Sequence, residues 1–394
     1  MQMNSDPKPK APERVALALS GGGSRAMAFH LGCLRALRSE GLLNEVSTIS
    51  AVSGGSVVAA LYCSYPGDFD KFERVITEVL TRGFVRPAIK VLFNTAEGPK
   101  AVASCTLTWL NRLAVGSARL ALKAFPRAVR PSRGFLLESR SRRWASRTTV
   151  LRRVLDDLLE GRTLADLRED RPNLIIVACD IMTSSAFYFA KDGVGSWRRG
   201  VADAGSVRLS DAVTASAAYP AFLPTLELSM IFNKNGQMSR QQVVLTDGGV
   251  YDNLGLAPLW SDRDPAISLH VGNYERLVVS RAGYSISMSS APTFWGSRMY
   301  AVMDTMFSRS QNATMQRLYD LQKGGALKGF ILPYLGQADD RILNPPPDLV
   351  SADEVANYPT NFSAMAPDWI EKISKRGEQL TRAHIAQHWK RESP

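Results

Sequence analysis

Short apolar runs alternate with helical patterns near the start of the chain. Val15–Ser20 and Val46–Val52 are apolar runs typical of buried strands, and each is followed by a glycine-rich turn. A helix is predicted after each turn, over Arg25–Arg38 and over Ser56–Tyr65, before Pro66-Gly67 stops the pattern. Strand, turn and helix in this order predict parallel strands joined by helical crossovers.

The rest of the chain carries further strand and helix patterns. Strands are predicted over Asn173–Cys179, Ala186–Ala190, Gln242–Thr246, Ile267–Val271 and Phe330–Leu332, and helices over Ser210–Ala218, Arg298–Gln322 and Asp368–Lys390. The sequence shows neither an internal repeat nor a linker between two separate cores. We therefore predict one α/β domain over residues 14–394, with parallel strands joined by helical crossovers and a C-terminal helical elaboration over residues 298–394.

Charge changes this picture in one segment. The chain carries a net charge of +11, yet residues 81–153 hold 16 lysines and arginines against two acids, Glu97 and Glu138. Trp109, Leu110 and Phe125 are interleaved with these cations. The pattern predicts a basic helical insertion that docks on an anionic membrane. We expect this insertion to form a cap over the candidate active site described below. A solvated helical subdomain is the plainer alternative, and nucleic acid is disfavoured because aromatic residues are few in the densest arginine run, 127–153.

The N-terminal residues, the length of the apolar runs and the spacing of the cysteines indicate where in the cell we expect the protein. Residues 1–13 are polar, contain prolines and lack the apolar segment of a signal peptide, which predicts a disordered lead-in. The chain has no run of about 18 apolar residues, so no membrane-spanning helix is predicted. Its four cysteines fit neither a metal knuckle nor a redox pair. These features favour a cytoplasmic protein that associates with membranes peripherally, with export by a non-classical route left open.

The first glycine turn is Gly21-Gly22-Gly23, between a predicted strand and a predicted helix. Backbone N–H groups at such a position point towards negative charge. Gly21, Gly23 and Ala26 match a dinucleotide-binding pattern, but no acid ends the next strand to hold a ribose, and no P-loop lysine follows. An oxyanion hole and a tight turn without a ligand remain the two interpretations.

The second glycine turn contains a candidate nucleophile. Ser53 follows a predicted strand and precedes Gly54-Gly55 and a helix, which is the context of a nucleophile elbow. The usual G-x-S-x-G pattern is imperfect, because Ala51 stands where the first glycine is expected. Gly54 is placed to offer its N–H group to an oxyanion. Ser56 is a rival nucleophile, but it lies within the predicted helix.

No histidine is placed as a catalytic base. His30 lies within a mostly apolar helix and is predicted to be a core residue, and His270 lies within a predicted strand. His384 and His388 are four residues apart on the last predicted helix, but no third ligand accompanies them, so no metal site is predicted.

Asp247 is the alternative base. It follows a predicted strand and precedes Gly248-Gly249, at the end of a strand where α/β active sites form. A carboxylate within hydrogen-bonding reach of Ser53 acts as a general base. The competing interpretation is an aspartate that only stabilises its own turn.

Taken together, these motifs resemble the patatin-like phospholipase family. The resemblance rests on four motifs in family order and covers residues 14–275: Gly21–Arg25, Ser53-Gly54-Gly55, Ala215–Pro220, and Asp247-Gly248-Gly249 followed by Asp252-Asn253. The G-G-G-x-R-A-M stretch and the Ser-Gly after Val52 are also similar to the cytosolic A-type phospholipases of animals.

The resemblance implies specific roles for these residues. It implies a three-layer α/β/α core with a mostly parallel central sheet. It also implies a Ser53–Asp247 dyad that works without histidine through an acyl-enzyme. It implies an oxyanion hole around Gly22 and Gly23, to which we add Gly21 and Gly54, and a set of supporting residues: Arg25, Gly55, Gly248 and Gly249. It also implies a phospholipid, lysophospholipid or other acyl-ester substrate, and neither metal nor cofactor. The sequence does not indicate the oligomeric state.

Two departures from the family pattern keep other functions open. Ala51 and Ala26 stand where many members carry glycine. A soluble short-chain esterase, and a non-hydrolytic lipid-binding protein with a decayed site, therefore remain alternatives.

Overall fold

A computed structural model describes residues 14–123, 145–283, 293–356 and 358–389 of the chain. The predicted lead-in over residues 1–13, much of the densest arginine run and Lys390 lie outside these ranges. The strands are β1 (Val15–Leu19), β2 (Val46–Ala51), β3 (Asn173–Asp180), β4 (Ser185–Ala190), β5 (Gly193–Ser196), β6 (Gly200–Ala202), β7 (Leu226–Lys234), β8 (Gln237–Asp247), β9 (Arg276–Ser280) and β10 (Gly329–Ile331). The α-helices are α1 (Gly23–Ser39), α2 (Gly54–Ser64), α3 (Phe69–Arg82), α4 (Val85–Asn94), α5 (Glu97–Lys123), α6 (Arg147–Leu158), α7 (Leu209–Ser216), α8 (Gly249–Asp252), α9 (Trp295–Lys323), α10 (Ala352–Val355) and α11 (Pro367–His388).

Strand β1 separates two apolar cores. Its alternate residues point to opposite faces of the sheet, so Val15 and Leu17 join a large core while Ala16 and Ala18 join a smaller one. The large core takes side chains from α1, α2 and α11, and the smaller one takes them from α9 and from residues 254–260. Helices therefore cover both faces of this part of the sheet.

The sheet is mixed, with the strand order β10-β9-β1-β2-β3-β4-β5-β6-β7-β8. Strands β10, β9, β1, β2 and β3 pair in parallel, as the strand-turn-helix pattern predicts. From β3 to β8 every pairing is antiparallel, so the expectation of a mostly parallel sheet holds only for the first half. Short strands such as β5, with two glycines, carry no strong apolar alternation, and sequence patterns miss them.

Strand β8 returns to pair with β3 as well as with β7. One edge of β3 is fully occupied by β4 over residues 175–180. The other edge is therefore shared: β2 pairs in parallel with residues 173–176, and β8 pairs antiparallel with residues 178–180. Because β2 and β8 run towards each other along this edge, their ends meet at residues 176–178 of β3.

One predicted strand is wrong. Residues 265–267 form a turn of 3₁₀ helix, and the strand expected over Ile267–Val271 is absent. Ile267 is 57% exposed, and polar residues alternate with the apolar ones here. The strand forms instead as β9, where Leu277, Val278 and Val279 are contiguous and fully buried.

Helix α11 belongs to the main core, although residues 298–394 were predicted to be an elaboration. Its backbone touches that of α1, because a Cβ added to Gly32 would lie 1.8 Å from the carbonyl oxygen of Ser374. A Cβ added to Gly377 would likewise lie 2.4 Å from the carbonyl oxygen of Phe29. The two glycines therefore set the distance between the helices, and Ile373 and Leu380 pack into the large core.

Among the helices of the described ranges, none combines the length and the hydropathy needed to cross a bilayer.

We expect Gly32→Ala to destabilise the protein, because the new methyl group has no space against Ser374. Overpacking of this kind typically costs about 1–3 kcal/mol, measured as a lower midpoint in thermal or urea unfolding. Gly116→Ala in α5 is the matched control, since nothing lies within 4 Å of its Cβ position. Equal stability of the two variants would contradict the backbone contact between α1 and α11.

Candidate active site

Ser53 stands on a sharp turn between β2 and α2. Its backbone has φ 50° and ψ −120°, a conformation that L residues rarely adopt and that is characteristic of a nucleophile elbow. The Ser53 N–H group donates a hydrogen bond of 2.9 Å to Oγ of Ser216. That hydroxyl in turn donates to the carbonyl oxygen of Val177 on β3, at 2.7 Å. The strained turn is thus fastened to the central strand through one side chain.

Small residues around the elbow are required by packing. A Cβ added to Gly54 would lie 2.3 Å from the carbonyl oxygen of Gly23, and one added to Gly55 would lie 2.5 Å from that of Leu19. The absence of a side chain at Gly55 therefore lets α2 approach β1. Ala51 is fully buried and lies in regular strand geometry, so the fold accommodates its methyl group.

Asp247 is the last residue of β8 and lies opposite Ala178 of β3. It is 4% exposed, and its Oδ1 accepts a hydrogen bond of 2.7 Å from the Gly249 N–H group. Burial raises the pKa of Asp247 to about 7, although the hydrogen bond from the Gly249 N–H group and the interaction with the nearby Ser53 side chain lower it. A carboxyl group that titrates near neutral pH suits a general base.

Gly248 packs directly against β3. A Cβ at this position would lie 2.2 Å from the carbonyl oxygen of Val177, and its N–H group donates to the carbonyl oxygen of Ser216 at 3.2 Å. Gly248 and Gly249 thus hold the turn in which Asp247 presents its carboxylate.

The first glycine turn lies beside the elbow. Gly22 and Gly23 have φ values of +144° and +60°, which L side chains rarely adopt. Gly21 is not available as an oxyanion donor, because its N–H group donates to the carbonyl oxygen of Asn253 at 3.1 Å. The N–H groups of Gly22, Gly23 and Gly54 have no acceptor among the residues that the structure describes. They are the candidate donors to an oxyanion.

Arg25 ties this turn to the rest of the fold. Its Nε donates to the carbonyl oxygen of Ala282 at 3.0 Å, and one of its terminal nitrogens donates to that of Tyr358 at 3.3 Å. The guanidinium is largely buried. Arg25 thus connects the start of α1 to the backbone near Ala282 and Tyr358.

His30 is a core residue with both ring nitrogens occupied. Nδ1 lies 2.7 Å from Oγ of Ser280, and Nε2 lies 2.8 Å from the carbonyl oxygen of Ser20. Burial lowers its pKa to about 4, so the ring is neutral at physiological pH.

The other histidines lie elsewhere. His270 pairs with Asp192, and Nε2 of His384 contacts Gln337. His384 and His388 stack with ring centroids 5.7 Å apart, but the described ranges contain no group of three or more potential metal ligands.

Two residues that organise the site have no role assigned to them from the sequence. Ser216 links the elbow to β3 and, through its carbonyl oxygen, to Gly248. Asn253 binds Gly21 through its backbone, and its Oδ1 lies 2.4 Å from the Cβ position of Gly21 and 2.7 Å from that of Gly249. Both occur in motifs noted for the family resemblance, but their roles depend on contacts between residues distant in sequence.

A cavity of about 910 Å³ lies elsewhere, between α3, α11 and residues 343–348. It is lined by charged side chains such as Arg35, Glu371 and Lys375, and neither Ser53 nor Asp247 reaches it. The strained serine and the buried carboxyl group are the features that suit a nucleophile and a general base, and both lie outside this cavity.

Comparison with protein families gives a match to this chain. The sequence profile described as patatin-like phospholipase matches residues 17–260, more than half of the chain. This chain belongs to the patatin-like phospholipase family. The resemblance inferred from its motifs is thereby confirmed. A search of curated proteins returns no significant match.

Solved structures with the same fold include phospholipases. Human GIVD cytosolic phospholipase A2 is 11% identical with a TM-score of 0.52, over 98% of this chain and 63% of that one. Its complex with methyl gamma-linolenyl fluorophosphonate is 13% identical with a TM-score of 0.51, over 98% and 60%. VipD from Legionella pneumophila is 13% identical with a TM-score of 0.42, over 96% and 67%. The likeness to the two GIVD structures confirms a patatin-like α/β fold, and the chain spans about 63% of the GIVD enzyme's length.

We expect Asp247→Asn to stabilise the protein at pH 8 more than at pH 4. The folded-state pKa of about 7 exceeds the ordinary value of 3.8, so wild type loses stability as pH rises through 7, while the amide does not titrate. A shift of this size corresponds to a few kcal/mol, on the order of 1.4 kcal/mol per pKa unit. Urea unfolding at both pH values measures the difference. Asp203→Asn, at an exposed position, is the control, because it retains Asp247 and should lose stability between pH 4 and pH 8 as wild type does. A stabilisation by Asp247→Asn that is the same at both pH values would contradict the raised pKa.

Proposed function

We propose that this protein is a lipid acyl hydrolase that cleaves fatty acyl esters of phospholipids or lysophospholipids with Ser53 as nucleophile and Asp247 as base. The observation that carries the proposal is the contact between a serine on a strained elbow and a buried carboxyl group with a pKa of about 7. Family membership supports the same reaction class, and a GIVD phospholipase in complex with a fluorophosphonate supports serine chemistry on this fold.

The first half of the reaction forms an acyl-enzyme. Asp247, as a carboxylate, takes the proton of the Ser53 hydroxyl while Oγ attacks the ester carbonyl carbon. The carbonyl oxygen becomes an oxyanion that accepts hydrogen bonds from the N–H groups of Gly22, Gly23 and Gly54. When the intermediate collapses, the bond to the alcohol oxygen breaks, and the proton passes from Asp247 to the departing alcohol.

The second half releases the fatty acid. Asp247 now takes a proton from water, whose oxygen attacks the acyl carbon attached to Ser53. Collapse of this second intermediate breaks the bond to Oγ, and the proton on Asp247 returns to Ser53. One carboxyl group thus serves as base and acid in turn, which a pKa near 7 favours.

Helix α4 supports docking on an anionic membrane, as predicted for residues 81–153. Val85, Ile89 and Phe93 are spaced four residues apart along one face of the helix and are 47%, 50% and 78% exposed. Arg86 and Lys90 lie beside this face, and α4 contains no acidic residue. Exposed apolar side chains next to cations are typical of interfacial helices.

Helix α5 extends the same surface. Leu107, Trp109, Leu110 and Leu113 are each at least half exposed. The Thr149 hydroxyl of α6 contacts a carboxylate oxygen of Glu97 at the start of α5.

Helix α6 also reaches the turn beside the site. The Thr148 hydroxyl donates to the carbonyl oxygen of Pro224. Residues 219–224 follow Ala218, whose carbonyl oxygen accepts the N–H group of Asp247. The helical segment therefore contacts the turn that borders the proposed dyad, as a cap over the site requires.

We expect Ser53→Ala to reduce hydrolysis of vesicle phospholipid at least about a thousandfold, because the nucleophile is lost. Ser56→Ala is the control, since Ser56 is the rival hydroxyl and donates to the Ser53 carbonyl oxygen at 2.6 Å; it should retain activity within about tenfold of wild type. Free fatty acid released from a panel of phospholipids is the measurement. Undiminished release by Ser53→Ala would exclude the dyad, and a wild type that binds lipid without hydrolysing any acyl ester would indicate a decayed site.

We expect Arg86→Gln with Lys90→Gln to weaken co-sedimentation with anionic vesicles by about tenfold or more, because each cation near an anionic surface contributes about 1 kcal/mol. Binding to neutral vesicles should change little. Arg240→Gln with Lys372→Gln, which removes two exposed cations elsewhere, is the matched control. Equal losses in the two double variants would show that net charge, and not this surface, governs binding.

A further inference from the structure

The first half of α9 is a helix with little packing. Between Trp295 and Arg317 no side chain of the described residues is fully buried, and the first one that is buried is Leu318. A helix of 29 residues whose first half projects in this way gains little from the core. Its exposed residues therefore need another explanation.

The exposed apolar residues of this half lie on one face. Trp295, Met299, Val302 and Met306 follow one another at intervals of four, three and four residues, so they fall within about 60° around the helix axis. They are 73%, 43%, 52% and 68% exposed. Phe294, immediately before the helix, is 69% exposed and extends the patch. We call Trp295, Met299, Val302 and Met306 the α9 stripe.

The charges around the stripe have one sign. By the same helical geometry, the exposed Arg298 and Arg309 border the stripe on one side. The acid in this half, Asp304, lies on the opposite side of the helix. An apolar stripe with cations at its border and the acid turned away is complementary to an anionic lipid surface.

The other side of α9 contacts the proposed active site. The Phe307 ring packs against that of Tyr219, with centroids 6.2 Å apart. Tyr219 follows Ala218, whose carbonyl oxygen accepts hydrogen bonds from the Asp247 N–H group and from the Thr246 hydroxyl. The ring contact of Tyr219 and the hydrogen bonds of Ala218 thus link α9 to the end of β8, which carries the proposed base.

Helices α9 and α6 contact the same turn. Residues 219–224 contact α9 through Tyr219 and α6 through Pro224. Phe222, within the turn, is 56% exposed and packs against Tyr219. The turn therefore carries an exposed apolar side chain of its own and is held between α9 and α6.

We propose that the α9 stripe docks on an anionic phospholipid surface and brings the Ser53–Asp247 pair to the lipid. The inference rests on the proposed function for its substrate class, but lipid binding by the stripe is a separate property. It extends the lipid-binding surface beyond the basic segment of residues 81–153.

The test compares two methionines of equal exposure. Met306→Ser removes an apolar side chain from the stripe, and Met238→Ser removes one at the β7–β8 turn, where the exposure is 66%. A triple variant, Trp295→Ala with Met299→Ser and Met306→Ser, increases the effect. All are made in Ser53→Ala protein, so that the lipid is not consumed, and circular dichroism confirms equal helix content.

Vesicles of phosphatidylcholine with phosphatidylglycerol are the probe, and co-sedimentation is the measurement. We expect the triple variant to bind about tenfold or more weakly and Met306→Ser measurably more weakly, while Met238→Ser binds as its parent does. With Ser53 present, the ratio of vesicle hydrolysis to hydrolysis of a soluble short-chain ester should fall in the triple variant. Binding is measured in Ser53→Ala protein, without turnover. The binding result therefore tests the inference even if the proposed hydrolase function is wrong.

Two kinds of outcome would overturn the inference. One is vesicle binding that does not depend on the stripe: the triple variant binds as its parent does, or Met238→Ser loses as much binding as Met306→Ser. The other is a stripe that joins two copies of the chain: wild type would then sediment as a dimer without lipid, and the triple variant as a monomer with unchanged vesicle binding.

Discussion

The fold depends on β3, which receives two strands on one of its edges. Because β4 fills the other edge, β2 and β8 must approach each other end to end along the remaining one. Ser53 follows the end of β2, and Asp247 is the end of β8. Residues almost two hundred positions apart are thus brought into contact by backbone pairing, and Ser216 fastens the serine's turn to the same strand.

The same placement buries a carboxyl group at a cost in stability. Desolvation raises the pKa of Asp247 to about 7, so at neutral pH the fold carries a partly ionised buried group. A strained serine backbone lies next to it. Both features oppose folding, and the extensive packing of α1 against α11 and the central sheet offsets them. In the function proposed above, the raised pKa assists proton transfer, and the apolar side chains exposed on α4, α5 and α9 contact the lipid.

Much of this could be predicted from local sequence. The first two strands, their helices and the glycine turns follow from apolar runs and from glycine positions, and Ser53 and Asp247 follow from the motifs at strand ends. The antiparallel half of the sheet could not be predicted, because β5 and β6 are short and rich in glycine. The hydrogen bond that removes Gly21 from the oxyanion donors, and the role of Ser216, depend on contacts far apart in sequence. The spacing of the apolar residues in the α9 stripe can be recognised in the sequence, but their exposure depends on the tertiary structure.

The central claim is that Asp247 activates Ser53. The most direct measurement is the rate at which a fluorophosphonate forms an adduct on Ser53, followed by mass spectrometry as a function of pH, in wild type and in Asp247→Asn. The account predicts a wild-type rate that rises as pH increases through about 7 and then levels, and a slow rate in the variant without that titration. The same rise in both proteins, or modification of Ser56 in place of Ser53, would contradict it.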